Sequence, residues 1–263
     1  MTARYLLRFG TIGYLLMVLL IPVGLVFYRA FQHGLGPAWD AVTTPGAVHA
    51  FWLTILIAAI AVPANTLFGV ALAIALVRHR FPGHGLVNAL VDLPLALSPV
   101  VVGLALALLY GTGGWLGGLA THGVKILFAV PGMVLATIFV SLPFVVRAVQ
   151  PVLLELDREM EEAAASLGAK PTAIFRRIVF PNLLPAILAG VALAFARSVG
   201  EYGSVVLISG NLPFKTEVSS VYIFSHIESS DTTGAAAVSV VLLAISLAVL
   251  LAIGAFRRWR DEA

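Results

Sequence analysis

The chain has 263 residues, of which 60% are hydrophobic and 11% are charged. Soluble domains usually contain about 25% charged residues, so this composition excludes an ordinary soluble protein and predicts one embedded in a membrane. The net charge of +3 does not indicate nucleic-acid binding. The basic residues lie beside long apolar runs, where membrane orientation accounts for them.

The chain contains six histidines and no cysteine. Without cysteine there are no disulfides and no thiolate metal sites. The histidines stand singly, with none of the spacings that pair metal ligands, such as H-E-x-x-H. They are His33, His49, His79, His84, His122 and His226. We therefore expect no metal site, and neither paired intramembrane aspartates nor a Ser/His pair marks an intramembrane enzyme.

Six apolar runs are each long enough to cross a bilayer, which takes about 20 residues. They cover residues 6–28, 51–77, 86–109, 126–146, 183–209 and 235–256. The first run is longer than the apolar region of about 7 to 15 residues in a signal peptide, and it lacks an A-x-A cleavage pattern, so we expect it to be retained. Prolines inside the runs are expected to kink the helices rather than end them. The sequence therefore predicts an all-α integral membrane protein with six transmembrane helices, forming one domain over residues 1–263.

The lysines and arginines predict the orientation of these helices, because cytoplasmic loops are enriched in both. If both termini are cytoplasmic, 12 of the 16 basic residues fall on that side: Arg4, Arg8, Arg78, Arg80, Arg147, Arg158, Lys170, Arg176, Arg177, Arg257, Arg258 and Arg260. Only Arg29, Lys125 and Lys215 fall on the other side, and Arg197 lies within the fifth run. We therefore expect both termini in the cytoplasm.

Residues 147–182, between the fourth and fifth runs, form the most densely charged stretch of the chain. Residues 155–167 are rich in strong helix formers, and Gly168 can adopt the left-handed conformation that ends a helix. Pro171 suits the first turn of a second helix, where its missing N–H is not needed. The stretch predicts two short helices joined by a tight turn. A solvated loop is the alternative on charge content, but the apolar residues on this hairpin favour docking into a groove of another protein.

Six residues of this hairpin have a recognisable spacing: Glu162, Ala163, Ala164, Gly168, Ile178 and Pro181. They resemble the EAA-x3-G-x9-I-x-x-P loop of permeases from ATP-binding-cassette (ABC) importers, with Phe180 where that family usually has leucine. The resemblance implies the type I ABC importer (MetI-like) permease fold over nearly the whole chain. It also implies that the loop is a coupling helix, which sits in a cleft of an ATP-hydrolysing subunit.

The same resemblance implies the partners of the chain. They are a second permease subunit, either a sister paralogue or a second copy, two ATPase subunits and an extracytoplasmic substrate-binding protein. The chain has no G-x-x-x-x-G-K-[ST] phosphate loop of its own, so we expect ATP and Mg²⁺ to be used by the ATPase and no cofactor to be bound here. A passive channel is the alternative, which conducts without ATP and leaves the docking hairpin unexplained.

Further stretches resemble the sulfate and thiosulfate branch of these permeases: residues 92–94, 98–103, 197–203 and 208–211. Residues 81–83 and 131–140 are similar to the CysW-type subunit of that branch, whereas residues 201–206 and 215–217 are closer to the CysT-type subunit. The resemblance implies sulfate or thiosulfate as the substrate. A molybdate or tungstate permease of the same fold is the alternative.

Arg197 is the basic residue well inside a predicted span, and such residues are functional by default because charges are expensive in lipid. Glu201 lies four residues later on the same helical face, so a purely structural ion pair is an equally weighted alternative. The glycines nearby predict a close approach or a break in the helix, and the serines and the asparagine offer donors to an anion. The translocation pathway is therefore predicted to involve Arg197, Gly200, Glu201, Gly203, Ser204, Ser209 and Asn211.

Overall fold

The structure, a computed structural model, describes the backbone of residues 2–262 and the side chains of residues 8–119, 122–257 and 259. Arg4, Arg258 and Arg260 are among the basic residues on which the predicted orientation depends, and their side chains lie outside this set. The regular elements of the described backbone are all helices. In chain order they are α1 (Thr2–Phe31), α2 (Leu35–Thr43), α3 (Pro45–Arg78), α4 (His84–Ala96), α5 (Pro99–Tyr110), α6 (Gly118–Thr121), α7 (Val130–Glu155), α8 (Arg158–Ser166), α9 (Pro171–Ile174), α10 (Phe180–Val199), α11 (Gly203–Ser209), α12 (Ser219–Glu228) and α13 (Thr232–Glu262).

Within the described residues, five helical segments are long and apolar enough to cross a membrane: Arg8–Phe31, Pro45–Arg78, Val130–Glu155, Pro171–Val199 and Thr232–Arg257. They correspond to the first, second, fourth, fifth and sixth predicted spans. The all-helical membrane fold is thereby confirmed, and a sixth span is reached when α4 and α5 are counted together.

The prediction of one kinked helix over residues 86–109 was wrong. The chain there forms α4 and α5, which meet at an angle of 111°. Leu97 and Ser98 between them have extended backbone conformations, with ψ of 143° and 134°. Ser98 precedes Pro99, and a proline disfavours helical backbone in the residue before it, so the chain turns at this point instead of bending gently.

The prediction of a continuous helix over residues 183–209 was also wrong. The helix ends at Val199, and α11 begins at Gly203 after a break of three residues. At its N-terminal end the same helix is longer than predicted, because Pro171–Val199 forms one continuous helical segment. Within this segment, a π-helical turn over Phe175–Val179 joins α9 to α10.

The predicted hairpin over residues 147–182 begins later in the chain than expected. Residues 147–155 continue α7, which ends at Glu155. The first hairpin helix, α8, begins at Arg158 rather than at residue 155, and the side chain of Asp157 caps it by accepting a 2.9 Å hydrogen bond from the Glu159 N–H.

The centre of the bundle is formed by α3, α7 and α10, which approach one another through small residues. A Cβ placed on Gly69 of α3 would lie 3.0 Å from Cβ of Val145 in α7, and one placed on Gly190 of α10 would lie 3.0 Å from Cα of the same valine. Membrane helices gain no hydrophobic drive against lipid, so such close packing stabilises their association. It makes α7 the shared neighbour of the two helices.

A polar junction joins the same three helices near the middle of α7. The Asn65 side-chain amide donates to the Ser141 hydroxyl at 2.8 Å and to the Ile138 carbonyl at 3.1 Å. The Ser198 hydroxyl lies 3.4 Å from that of Ser141. Interhelical hydrogen bonds of this kind tie membrane helices together, and this one places the end of α10 at mid-depth in the bundle.

Arg147 ties the bent α4 to α7. Its guanidinium donates to the Asp92 carboxylate at 2.7 Å and to the side-chain oxygen of Asn88 at 3.0 Å. An Arg–carboxylate pair with several hydrogen bonds fixes geometry as well as charge. This basic residue, one of those predicted to lie on the cytoplasmic side, therefore holds α4 in place.

Candidate functional site

The turn of the hairpin is closed by Gly168. Its N–H donates to the Ala165 carbonyl at 2.9 Å, and the next N–H, of Ala169, donates to the Ala164 carbonyl at 3.0 Å. This pair of bonds is the Schellman motif, which requires a left-handed residue after the helix end. Gly168 has φ of +84°, so the helix end predicted at this glycine is confirmed, and the spacing between Ala164 and Gly168 is explained by backbone geometry.

The second half of the motif, from Ile178 to Pro181, begins within the π-helical turn and ends two residues after it. A proline inside an α-helix removes one N–H and crowds the carbonyl four residues earlier. Here the Phe180 N–H, just before Pro181, bonds to the Phe175 carbonyl five residues back. The wider turn accommodates the proline, so the hairpin continues into α10 without a break.

The tip of the hairpin presents an exposed surface. Glu162, Ala163 and Gly168 are exposed, and the Leu167 side chain between them is 90% exposed. A Cβ added to Gly168 would meet no atom within 4 Å. We call the surface of residues 162–168 the hairpin tip. Isolated exposed leucines are common, but this one sits at the end of a turn that is closed by backbone hydrogen bonds.

An ion pair anchors the hairpin to the membrane domain. Arg78, the last residue of α3, bonds Glu161 of α8, and the side chains are 13% and 26% exposed. The Arg158 guanidinium also reaches the Val77 carbonyl, at 3.5 Å. A half-buried pair is screened less by water than a surface pair. The hairpin tip therefore stands on a base fixed to α3.

The break after α10 brings five of the predicted pathway residues together. Gly200 ends α10, and the Glu201 carboxylate accepts hydrogen bonds at Oε1 from the Ser204 N–H at 2.8 Å and the Ser204 hydroxyl at 2.7 Å. A carboxylate in this position satisfies an N–H that a helix start leaves free, so Glu201 caps α11. The other oxygen, Oε2, pairs with the Arg197 guanidinium.

The Arg197–Glu201 pair is asymmetric in its exposure. The Glu201 side chain is 2% exposed, whereas that of Arg197 is 29% exposed. Glu201 Oε2 has no hydrogen-bond partner in addition to the ion pair, and Arg197 has no second polar partner among the described residues. A guanidinium carries five N–H donors, and among the described residues this ion pair is its one polar contact.

Gly203 lets α5 approach this site. A Cβ added to Gly203 would lie 3.0 Å from the Pro99 side chain and 3.3 Å from the Val100 nitrogen. The start of α5 therefore meets the start of α11 beside the ion pair. The glycines were predicted to mark a break in the helix or a close approach between helices. Gly200 lies at the break, and Gly203 lies at a close approach.

Ser209 and Asn211 lie at the other end of α11, about 9 Å further along at 1.5 Å per residue. The buried Ser209 hydroxyl accepts from the Asn211 N–H at 3.2 Å, and the Asn211 side-chain amide lies 3.4 Å from the Ser225 hydroxyl. Gly210 between them has φ of +67° and ends the helix. These residues shape the end of α11 and are not brought to the guanidinium.

Two residues at the break were not among the predicted site residues. The Ser220 hydroxyl donates to the Glu201 carbonyl at 2.6 Å, and Gly103 of α5 is packed directly on Ser204. Ser220 follows Glu201 by 19 residues. Neighbours on one helix face are three or four residues apart, so no spacing pattern in the sequence could have predicted this contact. Gly103 lies in a stretch that resembles the sulfate branch, which was the one signal available.

A chain of membrane-spanning helices with a broken fifth span and an exposed helical hairpin defines a polytopic transport component. The family of binding-protein-dependent transport system inner membrane components matches residues 65–261. The chain belongs to this family.

The similar proteins of known description include both types of subunit named for sulfate transport. The chain is 46% identical over 244 residues to the probable sulfate transport system permease protein cysT of Nephroselmis olivacea, covering 92% of this chain and 86% of that protein. It is 44% identical to CysT of Salmonella typhimurium, covering 95% and 91%, and 43% identical to CysW of Synechocystis, covering 94% and 90%. The two types match almost equally well, in line with the mixed resemblance found in the sequence.

Among solved structures, the fold is similar to that of a bacterial ABC transporter involved in the import of the acidic polysaccharide alginate. The TM-score is 0.82 at 18% identity, covering 97% of this chain and 95% of that one. A structure of an alginate ABC transporter in complex with a periplasmic protein bound to alginate pentasaccharide matches with a TM-score of 0.78 at 17% identity, covering 95% and 92%. At these identities the likeness concerns the fold alone, and it confirms the fold of ABC importer permeases.

Proposed function

We propose that this chain is the permease subunit of an ATP-driven importer that carries sulfate into the cytoplasm. The observation that supports it most is the extent of its likeness to proteins named as sulfate permeases, which are 42–47% identical over at least 92% of the chain. The partners are a second permease subunit, two ATPase subunits and an extracytoplasmic sulfate-binding protein. The second permease is a sister paralogue or another copy of this chain.

ATP is hydrolysed in the ATPase subunits, and this chain receives the resulting movement at the hairpin tip. Its role needs no cofactor of its own. The exposed surface of residues 162–168 enters a cleft of the ATPase in the cytoplasm. Because the tip is closed by hydrogen bonds at Gly168 and anchored through Arg78, it moves as one piece with the helices behind it.

The continuous helix from Pro171 to Val199 carries this movement to the middle of the bundle. Its 29 residues correspond to about 43 Å at 1.5 Å per residue. One end follows the turn at Gly168, and the other bears Arg197 and leads into the break. A displacement of the hairpin therefore moves the guanidinium relative to α5 and α11, which is how the span can alternate between inward-open and outward-open arrangements.

At the break, Arg197 and the surrounding polar groups line the path of the anion. Sulfate in a region of low dielectric constant needs hydrogen-bond donors and positive charge, and a guanidinium provides both. The partly exposed Arg197 offers free donors at mid-depth, beside a discontinuous helix of the kind that forms binding sites in other transporters. Gly200 and Gly203 allow the backbone to open and approach there.

Uptake of radiolabelled sulfate tests the proposal. The chain is expressed with its ATPase, partner permease and binding protein in a bacterium lacking its own sulfate importers, and uptake is measured with and without ATP depletion. We expect ATP-dependent uptake that unlabelled sulfate suppresses and equal concentrations of molybdate do not. Uptake suppressed by molybdate but not by sulfate would overturn the substrate, and uptake unaffected by ATP depletion would overturn the mechanism.

The role of Arg197 is tested in the same cells by Arg197→Gln, which keeps a polar side chain but removes the charge. We expect sulfate uptake to fall at least about tenfold, as for an intramembrane charge on the pathway, at matched abundance in the membrane. Arg29→Gln at the end of α1 is the control, and it should transport normally. Unchanged uptake in the Arg197 variant would remove this residue from the pathway.

A further inference from the structure

Arg197, the cation assigned to the anion pathway, has a carboxylate of the same chain within ion-pair distance. Glu201 is almost completely buried, with 2% of its side chain exposed. A carboxylate so close to an anion-binding guanidinium repels the very substrate that the guanidinium attracts. We propose that Glu201 is a fixed internal counter-anion, which competes with sulfate for Arg197 and so keeps the substrate from being held too tightly. This inference rests on the proposed function as an anion importer.

Glu201 is held in place independently of the ion pair. Its Oε1 is bound by the N–H and the hydroxyl of Ser204, at 2.8 Å and 2.7 Å. Its backbone carbonyl accepts a 2.6 Å hydrogen bond from the Ser220 hydroxyl. The first two bonds tie the carboxylate to α11, and the third ties the Glu201 backbone to α12, so the carboxylate remains at the site whether or not Arg197 contacts it.

Arg197 is free to exchange partners. Its side chain is 29% exposed, and Glu201 is its one polar partner among the described residues. Oε2 of Glu201, the oxygen that faces it, takes part in no other hydrogen bond. An arriving sulfate therefore displaces only the ion pair between Arg197 and Glu201. When the sulfate leaves, Glu201 pairs with Arg197 again without rearrangement of the backbone.

The competition serves transport because a carrier must bind its substrate well enough to admit it and weakly enough to release it. An unpaired guanidinium at mid-depth is a strong trap for a divalent anion, since charge interactions there are poorly screened. With Glu201 present, sulfate gains only the difference between its own attraction to Arg197 and that of the carboxylate. Release is favoured by the return of the internal pair.

Glu201→Gln separates this role from the capping of α11. The glutamine oxygen can still accept from Ser204, while the negative charge that faces Arg197 is lost. We measure retention of labelled sulfate by the purified, assembled transporter without its binding protein, and the maximal rate of uptake in cells. We expect half-saturation of retention at a concentration at least about fivefold lower, as for a competing site that has been removed, together with a maximal uptake rate at least about fivefold lower.

The matched control is Asp40→Asn, which neutralises an exposed carboxylate on α2 and should change neither quantity. In the double variant Arg197→Gln/Glu201→Gln the gain in retention should vanish, because the effect acts through Arg197. Glu201→Asp keeps the charge on a shorter side chain, and an intermediate shift in the same direction is expected. It serves as the test where the glutamine variant accumulates poorly.

If Glu201 only stabilised the structure, sulfate retention and sulfate uptake would fall together in the Glu201→Gln variant. That result, or retention equal to the wild type, would overturn the inference while wild-type sulfate uptake remains intact. Absence of ATP-dependent sulfate uptake in the wild type would instead overturn the proposed function, so the two failures are distinguishable.

Discussion

Gly103 of α5 and Ser204 of α11 are in direct backbone contact: a Cβ on Gly103 would lie 2.4 Å from the Ser204 carbonyl oxygen. No real Cβ sits so close to a backbone oxygen, and the backbone cannot move aside as a flexible side chain can. The two helices cross here beside the Arg197–Glu201 pair. Gly103 therefore sets how closely the bent α4–α5 segment approaches the broken end of α10.

Gly103→Ala is expected to push α5 away from α11. Overpacking of this kind costs about 1–3 kcal/mol of stability, and we expect sulfate uptake to be lost because the site at the break opens. The measurements are the thermal unfolding temperature of the purified transporter and uptake at matched abundance. The control is Gly85→Ala in α4, where the added Cβ meets no atom within 4 Å. Equal unfolding temperatures and equal uptake in the two variants would contradict the close crossing.

The contrast between predicted and observed helices follows from the range of the interactions that form them. The hairpin could be predicted because its signals are local: the helix formers, the left-handed Gly168 and the helix-starting Pro171 act within a few residues. The turn at Ser98 was also local, but proline is common in membrane helices, so Pro99 was interpreted as a kink. Sequence alone does not say which prolines are accommodated and which turn the chain.

The site at the break was predicted only where neighbours in sequence are also neighbours in space. Arg197 and Glu201 are four residues apart, and their pairing follows from helical periodicity. The contact of Glu201 with Ser220 joins the break to α12, and that of Asn65 with Ser141 joins α3 to α7. No periodicity encodes such contacts, because they depend on how the helices pack.

Gly168→Val is expected to abolish sulfate uptake while leaving the protein in the membrane. Gly168 has φ of +84°, a conformation that costs an ordinary residue about 1–2 kcal/mol and a β-branched one more. The valine would open the turn and displace the hairpin tip. Gly254→Val in α13, where a Cβ also meets no atom within 4 Å, is the control and should transport normally.

Gly168→Asn distinguishes the conformation from the mere size of the side chain, because asparagine tolerates left-handed backbone better than other residues. We expect it to retain more uptake than Gly168→Val at equal abundance. Normal uptake in the valine variant would contradict the docking role of the hairpin tip.

The Arg78–Glu161 pair is expected to be required for coupling rather than for membrane insertion. Arg78→Gln should leave the hairpin loosely attached to α3, so that ATP hydrolysis continues while uptake falls by about fivefold or more, the scale of a coupling of 1–3 kcal/mol. ATPase activity and sulfate uptake are measured together in proteoliposomes. The exchanged pair Arg78→Glu/Glu161→Arg should recover part of the uptake. Normal coupling in the single variant would show that the hairpin needs no such anchor.

The orientation of the chain can be measured directly, because the chain has no cysteine and every introduced thiol reports on a single position. Leu167→Cys places a thiol on the hairpin tip, where the side chain is 90% exposed, and Ser229→Cys places one at the exposed C-terminal end of α12. Since the excess of lysine and arginine predicts a cytoplasmic hairpin, a membrane-impermeant maleimide should label Ser229→Cys in intact cells and Leu167→Cys only after permeabilisation. Docking of the ATPase should then slow labelling at position 167 in permeabilised cells and leave labelling at position 229 unchanged. Labelling of Leu167→Cys in intact cells would place the hairpin outside the cytoplasm, where no ATP-hydrolysing subunit could reach it.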